Sequence, residues 1–189
     1  DDENCKAVVL RVNSPGGSAL ASDMIYRAIE RVQEGRPVIS SMGWVAASGG
    51  YWISMGCDAI VAQPSTVTGS IGVAGIVPNV SQALRNMGIN VQTVAKGPRG
   101  DQLALLANGL SPELKELLQS EMKGVYTDFV KKVAAGRGMD AEAVHALAKG
   151  RVWMGRQALE NGLVDELGGL DDAVALACVM GGGLDPATT

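Results

Sequence analysis

The chain has 189 residues, 47% of them hydrophobic and 19% charged, proportions that suit one globular domain able to bury its own core. A formal charge of -4, with no cluster of Lys and Arg, argues against a nucleic-acid binder, which carries a basic face. Twenty-five glycines and only 4% aromatics leave packing to Val, Ile, Leu, Ala and Met, as in layered α/β proteins.

The acidic start Asp1-Asp2-Glu3-Asn4 runs almost at once into a buried strand over Lys6–Asn13, so the chain, read as a single domain over residues 1–189, is expected to be excised from a longer one. That strand ends in Asn13-Ser14-Pro15-Gly16-Gly17. A helix follows over Ser18–Gln33, with Leu20, Met24, Ile25, Ala28, Ile29 and Val32 at helical spacing. Gly35 closes the helix, and Pro37 opens a strand to Met42. Ser48–Met55 reads as the first turns of a buried helix, which places Ser48 at its N-terminus. Asp58–Ala62 is a short strand, Gln63–Ser70 a turn-rich stretch, and Ile71-Gly72-Val73 the next strand, giving the order βαβαββ. Asn79–Met87 is predicted helical and Asn90–Ala95 extended, while Lys96–Leu110 has no clean period and reads as a functional loop. Ser111-Pro112 starts a helix to about Arg137, with Ser as N-cap and Pro at the first helical position. Its length suggests a packing or assembly arm. Helices over Asp140–Ala148, Gly155–Asn161 and Asp171–Met180 follow, with Arg151-Val152-Trp153 and the edge segment Leu163-Val164-Asp165 between them. Gly181-Gly182-Gly183 reads as a frayed tail.

Cys5, Cys57 and Cys178 are odd in number and widely spaced, with no C-x-x-C and a single histidine, which supports neither a disulfide framework nor a zinc site. They are expected to be buried small hydrophobes. No apolar run approaches the roughly 20 residues of a membrane span.

The chemistry centres on Val45-Ala46-Ala47-Ser48-Gly49-Gly50-Tyr51, where one hydroxyl stands among small residues directly after a strand. Upstream, Gly16 and Gly17 are able to offer backbone N–H groups to an anion, or to serve only a tight turn. Gly49 and Gly50 could serve the same chemistry or close helix packing, and Ser70 could be a plain turn serine. A serine needs a base to take its proton. His145, the only histidine, sits in a polar helix far along the chain and is expected at the surface, so a Ser-His-Asp triad is not supported. The remaining option is a lysine made neutral by burial. Trp44, Trp52 and Trp153 are expected to be core or interface anchors.

At this point the residues resemble a known family, the serine–lysine signal peptide peptidases of the protease IV type, within the fold that also holds Clp proteases and crotonases. The motifs Asn13-Ser14-Pro15-Gly16-Gly17, Met42-Gly43-Trp44-Val45-Ala46-Ala47-Ser48-Gly49-Gly50-Tyr51-Trp52, Thr66-Val67-Thr68-Gly69-Ser70-Ile71-Gly72 and Gly150-Arg151-Val152-Trp153-Met154-Gly155 carry the resemblance, in order, over about residues 6–180. It implies an α/β fold, a ClpP/crotonase-like ββα superhelix with a long carboxy-terminal helical arm. It implies Ser48 as acylated nucleophile, an oxyanion hole from the Gly16 and Gly17 region with the Gly49 amide, and Ser70 orienting the lysine amine. No metal or other cofactor is called for. Signal peptides or other hydrophobic extended peptides are the implied substrates, homo-oligomers the implied assembly, and membrane association in a bacterial envelope or plastid thylakoid, through regions outside this chain, the implied location.

The departure from the family pattern is the base. In single-length members the lysine falls in the loop corresponding to Lys96-Gly97-Pro98-Arg99-Gly100-Asp101, where Gly100 now holds its slot. Arg99 stays protonated and cannot replace it, and Lys96 is four residues away. Double-length members carry the lysine on the amino-terminal repeat and the serine on the carboxy-terminal one, and this chain resembles the latter. Its lysine is then expected from that missing repeat or a neighbouring subunit. Two other readings stand beside this one. They are a lapsed scaffold or binding subunit of the same fold, and a crotonase-like acyl-CoA enzyme, for which the acidic residues near Gly16 and Gly49 are lacking.

Overall fold

The computed structural model describes residues 4–92, 94, 96 and 111–183. The elements in chain order are β1 (Val8–Ser14), α1 (Ala19–Gln33), β2 (Val38–Ala47), α2 (Gly49–Ser54), β3 (Ala59–Ala62), β4 (Val67–Gly69), α3 (Ser81–Asn86), α4 (Pro112–Arg137), α5 (Ala141–Leu147), β5 (Val152–Met154), α6 (Gly155–Glu160), β6 (Glu166–Leu167) and α7 (Leu170–Met180). They divide into two units, Asp1–Gly72 with Val125–Thr189, and Val73–Gly124.

The first unit is organised around β2. Met42 is paired with Val12 of β1 and with Ala62 of β3, and Ala46 is paired with Ser14 of β1 and Thr68 of β4. A strand residue has two edges, so β3 and β4 share the edge opposite β1, one after the other along β2. The changeover is a bulge: between the pairs Val12–Met42 and Ser14–Ala46, β2 spends four steps where β1 spends two. Asn13 Oδ1 accepts the Val45 N–H at 3.3 Å, and Thr66 Oγ1 donates to the Gly43 carbonyl at 2.6 Å, so side chains take up backbone groups that the bulge leaves out of the ladder. β6 extends the sheet in parallel beyond β3, and β5 closes the β4 side as the one antiparallel pair among the described strands.

The main core lies where Met42, Ala46, Ile60, Tyr51, Trp52 and Met55 meet Phe129 and Val133 of α4, Val144 of α5 and Leu163. Trp52 stacks on Phe129 with ring centroids 4.4 Å apart. Burying an apolar side chain of this size stabilises the fold by about 1.5–3 kcal/mol. In the second unit α3 is short, and Ser111 Oγ accepts the Leu114 N–H at 3.2 Å at the start of α4, as its sequence implies.

Several expectations are corrected. The strand from Pro37 does not stop at Met42 but continues to Ala47, because the bulge absorbs Gly43 and Trp44 before pairing resumes with β4. The strand expected at Ile71–Val73 lies instead at Val67–Gly69, inside the stretch read as turns, since those residues meet Val45–Ala47. The edge segment expected at Leu163–Asp165 is displaced to Glu166–Leu167. No described residue of Asn90–Ala95 is in a strand, and 97–110 of the predicted loop lie outside the described residues. The apolar stripe of α1 is only in part its buried face: Ile29 is buried and Ala28 half-buried, but Leu20, Met24, Ile25 and Val32 are exposed, and the polar Ser22 and Tyr26 are buried instead. Of the two readings of the long α4, packing or assembly, its second half takes the first, entering the core through Phe129, Val130 and Val133. The glycine tail caps α7 instead of fraying, with the Gly183 N–H on the Cys178 carbonyl at 3.0 Å.

Candidate active site

Ser48 occupies the single residue between β2 and α2, with φ +52° and ψ −118°. A non-glycine residue held there costs on the order of 1–3 kcal/mol, so its surroundings must impose it. They do so through the backbone. The Ser48 N–H donates to the Gly69 carbonyl at 2.9 Å, and the Ser48 carbonyl accepts the Trp52 N–H at 2.8 Å. The side chain is left half-buried, does not cap α2, and takes part in no described hydrogen bond. Ser48 is therefore not a buried helix-capping serine.

The strand β1 delivers the second component. Gly16 and Gly17 follow it at φ +114° and +155°, conformations open to glycine. A Cβ on Gly16 would fall 2.7 Å from Ser48 Cβ and 2.9 Å from the Gly49 nitrogen, and one on Gly49 would fall 3.2 Å from the Gly17 nitrogen. No side chain fits at Gly16 or at Gly49. The Gly16 N–H donates to Ser14 Oγ at 3.2 Å, whereas no described hydrogen bond uses the N–H of Gly17 or of Gly49. Two free backbone donors thus stand beside the Ser48 side chain, and Gly17 is exposed to solvent. Such a pair beside a hydroxyl can hold a developing oxyanion.

Ser70 also joins the group. The pairing of Ala47 with Gly69 sets it next to Ser48, at φ +49°, with its N–H on the Arg151 carbonyl at 2.7 Å. Its hydroxyl is in no described hydrogen bond, contrary to a turn serine bonding its own backbone. Gly50 is buried with its Cα against the Ser14 carbonyl, where a Cβ would lie 2.5 Å from that oxygen, so it serves packing.

The other singled-out residues lie outside this constellation. His145 is half-buried, not at the surface, and its Nδ1 is 2.8 Å from Tyr126 Oη where α5 packs on α4. Lys96 belongs to the second unit and is exposed; Arg99 and Gly100 lie outside the described residues. No described lysine of the first unit hydrogen-bonds Ser48; Lys132 is occupied by Asp23 at 2.9 Å. Trp52 is a core residue and Trp153 is half-buried with its Nε1–H on the Leu147 carbonyl, but Trp44 rides the β2 bulge and is 69% exposed, so it anchors no core. Cys57 and Cys178 are buried and Cys5 is half-buried. Among the described residues no group of three or more His, Cys, Asp or Glu could hold a metal, and no helix is long and apolar enough to cross a membrane. An apolar cavity of about 200 Å³ between α1 and the β1–β2 pair is lined by residues such as Val8, Ile25 and Val38, with none of the site's residues in it. Sequence reasoning missed two contributors, Ser14, which occupies the Gly16 amide, and Ser22, whose Oγ would lie 2.5 Å from a Cβ on Gly49.

Comparison with known proteins gives a consistent result. The model of the family described as Peptidase family S49 matches residues 30–179. Protease 4 of Salmonella typhi is 45% identical over 177 residues, covering 93% of this chain and 28% of that protein. The serine protease SPPA, chloroplastic, of Arabidopsis thaliana is 40% identical over 177 residues, 94% of this chain and 26% of that one. A putative signal peptide peptidase SppA of Enterococcus faecium is 39% identical over 175 residues, 92% and 51% of the two chains. The chain therefore spans about a quarter of the first two and half of the third. Among solved structures, a ClpP1 mutant from Listeria monocytogenes superposes with a TM-score of 0.59 at 16% identity, over 89% of this chain and 78% of that one. The fold is ClpP/crotonase-like, as the motifs implied.

Proposed function

This chain belongs to peptidase family S49, and on that premise we propose that it carries the nucleophile of a serine peptidase of the Ser/Lys type. Ser48 is the attacking group, the Gly17 and Gly49 N–H groups bind the oxyanion, and Ser70 orients the base. The observation that carries this reading is the Ser48 backbone, strained to φ +52° with a free hydroxyl beside two unused amide donors. A neutral lysine amine takes the Ser48 proton as Oγ bonds to the peptide carbonyl carbon, whose oxygen becomes the oxyanion held by the two amides. The protonated amine then returns its proton to the leaving nitrogen as the C–N bond breaks. Water, deprotonated by the same amine, attacks the ester and frees Ser48.

The hydrogen bonds favour one amide on the β1 side. Gly16 spends its N–H on Ser14, which leaves Gly17 as the donor from the β1 side. The lysine comes from another repeat or subunit, a reading supported by the lack of any described lysine of the first unit on Ser48. Extended, hydrophobic peptides such as cleaved signal peptides are the substrates, in keeping with the name of the Enterococcus relative; strand-like main-chain pairing would hold them. A membrane-associated homo-oligomer, in a bacterial envelope or plastid thylakoid and anchored by regions outside this chain, completes the proposal. The lack of any described first-unit lysine on Ser48 also favours one other reading, a lapsed scaffold of the same fold.

One experiment separates the two. In the full-length gene product, a fluorophosphonate probe is expected to label Ser48, and Ser48→Ala to abolish both labelling and peptide hydrolysis. A full-length protein that folds, binds peptide and takes up no probe is a scaffold. Loss of turnover in Lys96→Ala, with upstream lysine substitutions silent, would place the base on this chain instead.

A further inference from the structure

We propose that Ser22 is a positioning residue that braces both oxyanion donors at once, an inference that rests on the peptidase reading of Ser48. Ser22 is a small polar residue on the buried face of α1, 7% exposed, while Leu20 and Met24 of the same helix face solvent. Its place is explained by what its hydroxyl touches. Ser22 Oγ donates to the Ser18 carbonyl at 3.0 Å, and the Ser22 N–H donates to the same oxygen at 3.0 Å. Ser18 Oγ in turn accepts the Ala21 N–H at 3.3 Å. Residue 18, which follows Gly17 directly, is thus tied to the first turn of α1 by three bonds.

Ser22 Oγ also lies against Gly49, the residue that carries the second donor. A Cβ on Gly49 would lie 2.5 Å from Ser22 Oγ, closer than to any atom of Gly16 or Gly17. Gly16 and Gly17 have no side chains to anchor the loop that carries the first donor, and Gly49 has none to set its distance from that loop. Ser22 supplies what these glycines lack. It holds the exit of the Gly16–Gly17 turn through Ser18 and fills the space against Gly49. Alanine would lose the bond and the contact, and a longer side chain would push Gly49 away.

The test uses the full-length gene product with a peptide substrate, a peptide boronate whose tetrahedral adduct needs the same two amides, and an uncleavable peptide. Ser22→Ala is expected to lower kcat and boronate affinity together by roughly tenfold, short of the about 10²- to 10³-fold loss on removing a donor outright. KM and binding of the uncleavable peptide are expected to stay unchanged, and Ser22→Thr, which keeps the hydroxyl, to recover most of the loss. A folded Ser22→Ala protein with wild-type kcat and boronate affinity overturns the proposal, as does a fall in uncleavable-peptide binding equal to that in kcat. Should Ser22→Ala not fold, Ser22→Cys, with a larger atom and a weaker donor, is expected to show the same paired loss at constant KM, and its absence overturns the proposal equally. A wild-type protein that neither cleaves peptides nor binds boronate fails the peptidase reading itself. In that event Gly49→Ala, measured by unfolding with and without Ser22→Gly, which removes the hydroxyl, still judges the contact, since additive losses would deny that the two residues meet.

Discussion

At the scale of single residues, the site depends on atoms that are absent. Gly16 is needed because its φ is +114° and because a Cβ there would sit 2.7 Å from Ser48 Cβ. Neither Ser48 nor the Gly49 amide can retreat without breaking the Ser48–Gly69 bond that sets the strained turn. Gly16→Ala is therefore expected to cost about 1–3 kcal/mol of stability from backbone conformation alone and to abolish fluorophosphonate labelling of Ser48, as read by denaturant unfolding and by mass shift on the same sample. Retained labelling at wild-type rate would show that the close approach of Gly16 to Ser48 is not required.

At the scale of elements, Ser48 sits between β2 and the six-residue helix α2, beside the three-residue strand β4, so the positions of these short elements must be held from outside. Asp165 does much of this. Its Oδ2 accepts the Ile60 N–H at 2.8 Å and Arg137 Nη1 at 2.9 Å, while Arg137 Nη2 reaches Oδ1 and Arg137 Nε reaches the Gly162 carbonyl at 3.1 Å. β3, the end of α4 and the approach to β6 are joined at one carboxylate. Asp165→Ala leaves the Arg137 guanidinium, whose side chain is only 7% exposed, without its counter-charge. The expected loss is about 2 kcal/mol, the worth of hydrogen bonds to a charged group, seen as a lower denaturation midpoint at unchanged slope. Tyr51, whose hydroxyl donates to the Leu163 carbonyl at 2.9 Å from full burial, fixes α2 to the same region.

At the scale of the whole molecule, the buried titratable groups set how the fold answers to pH. Burial, with the Asp58 charge beside it, pushes the Cys57 thiol from 9.0 up to about 12, and burial with the Glu30 carboxylate pushes Tyr26 from 10.0 up to about 12. Both groups ionise more readily in the unfolded chain. The stability they contribute is fully present below pH 9 and is lost as pH rises toward 12, first through Cys57 and then through Tyr26 as well. Each proton contributes a slope of at most about 1.4 kcal/mol per pH unit. Urea unfolding between pH 8 and 10 is expected to show this decline, and Cys57→Ala to flatten it; an equal slope in both proteins would mean the thiol is not the group involved.

The local sequence was enough for the family motifs, the existence of nearly every helix, and the place of Ser48 between a strand and a helix, because each depends on residues a few positions apart: a cap, a turn glycine, a small residue after a strand. Tertiary structure alone decided which face of α1 is buried, where β4 lies, that β2 runs on through a bulge, and which amide remains free. Each of these is set by a partner distant in sequence. Leu20 and Met24 have the periodicity of a core face, yet Ser22 is the residue that faces Gly49, and Val67–Gly69 becomes a strand only because Val45–Ala47 pass beside it. Hydrophobic pattern reports what a helix or strand is able to bury; which residues are buried depends on what folds back against them.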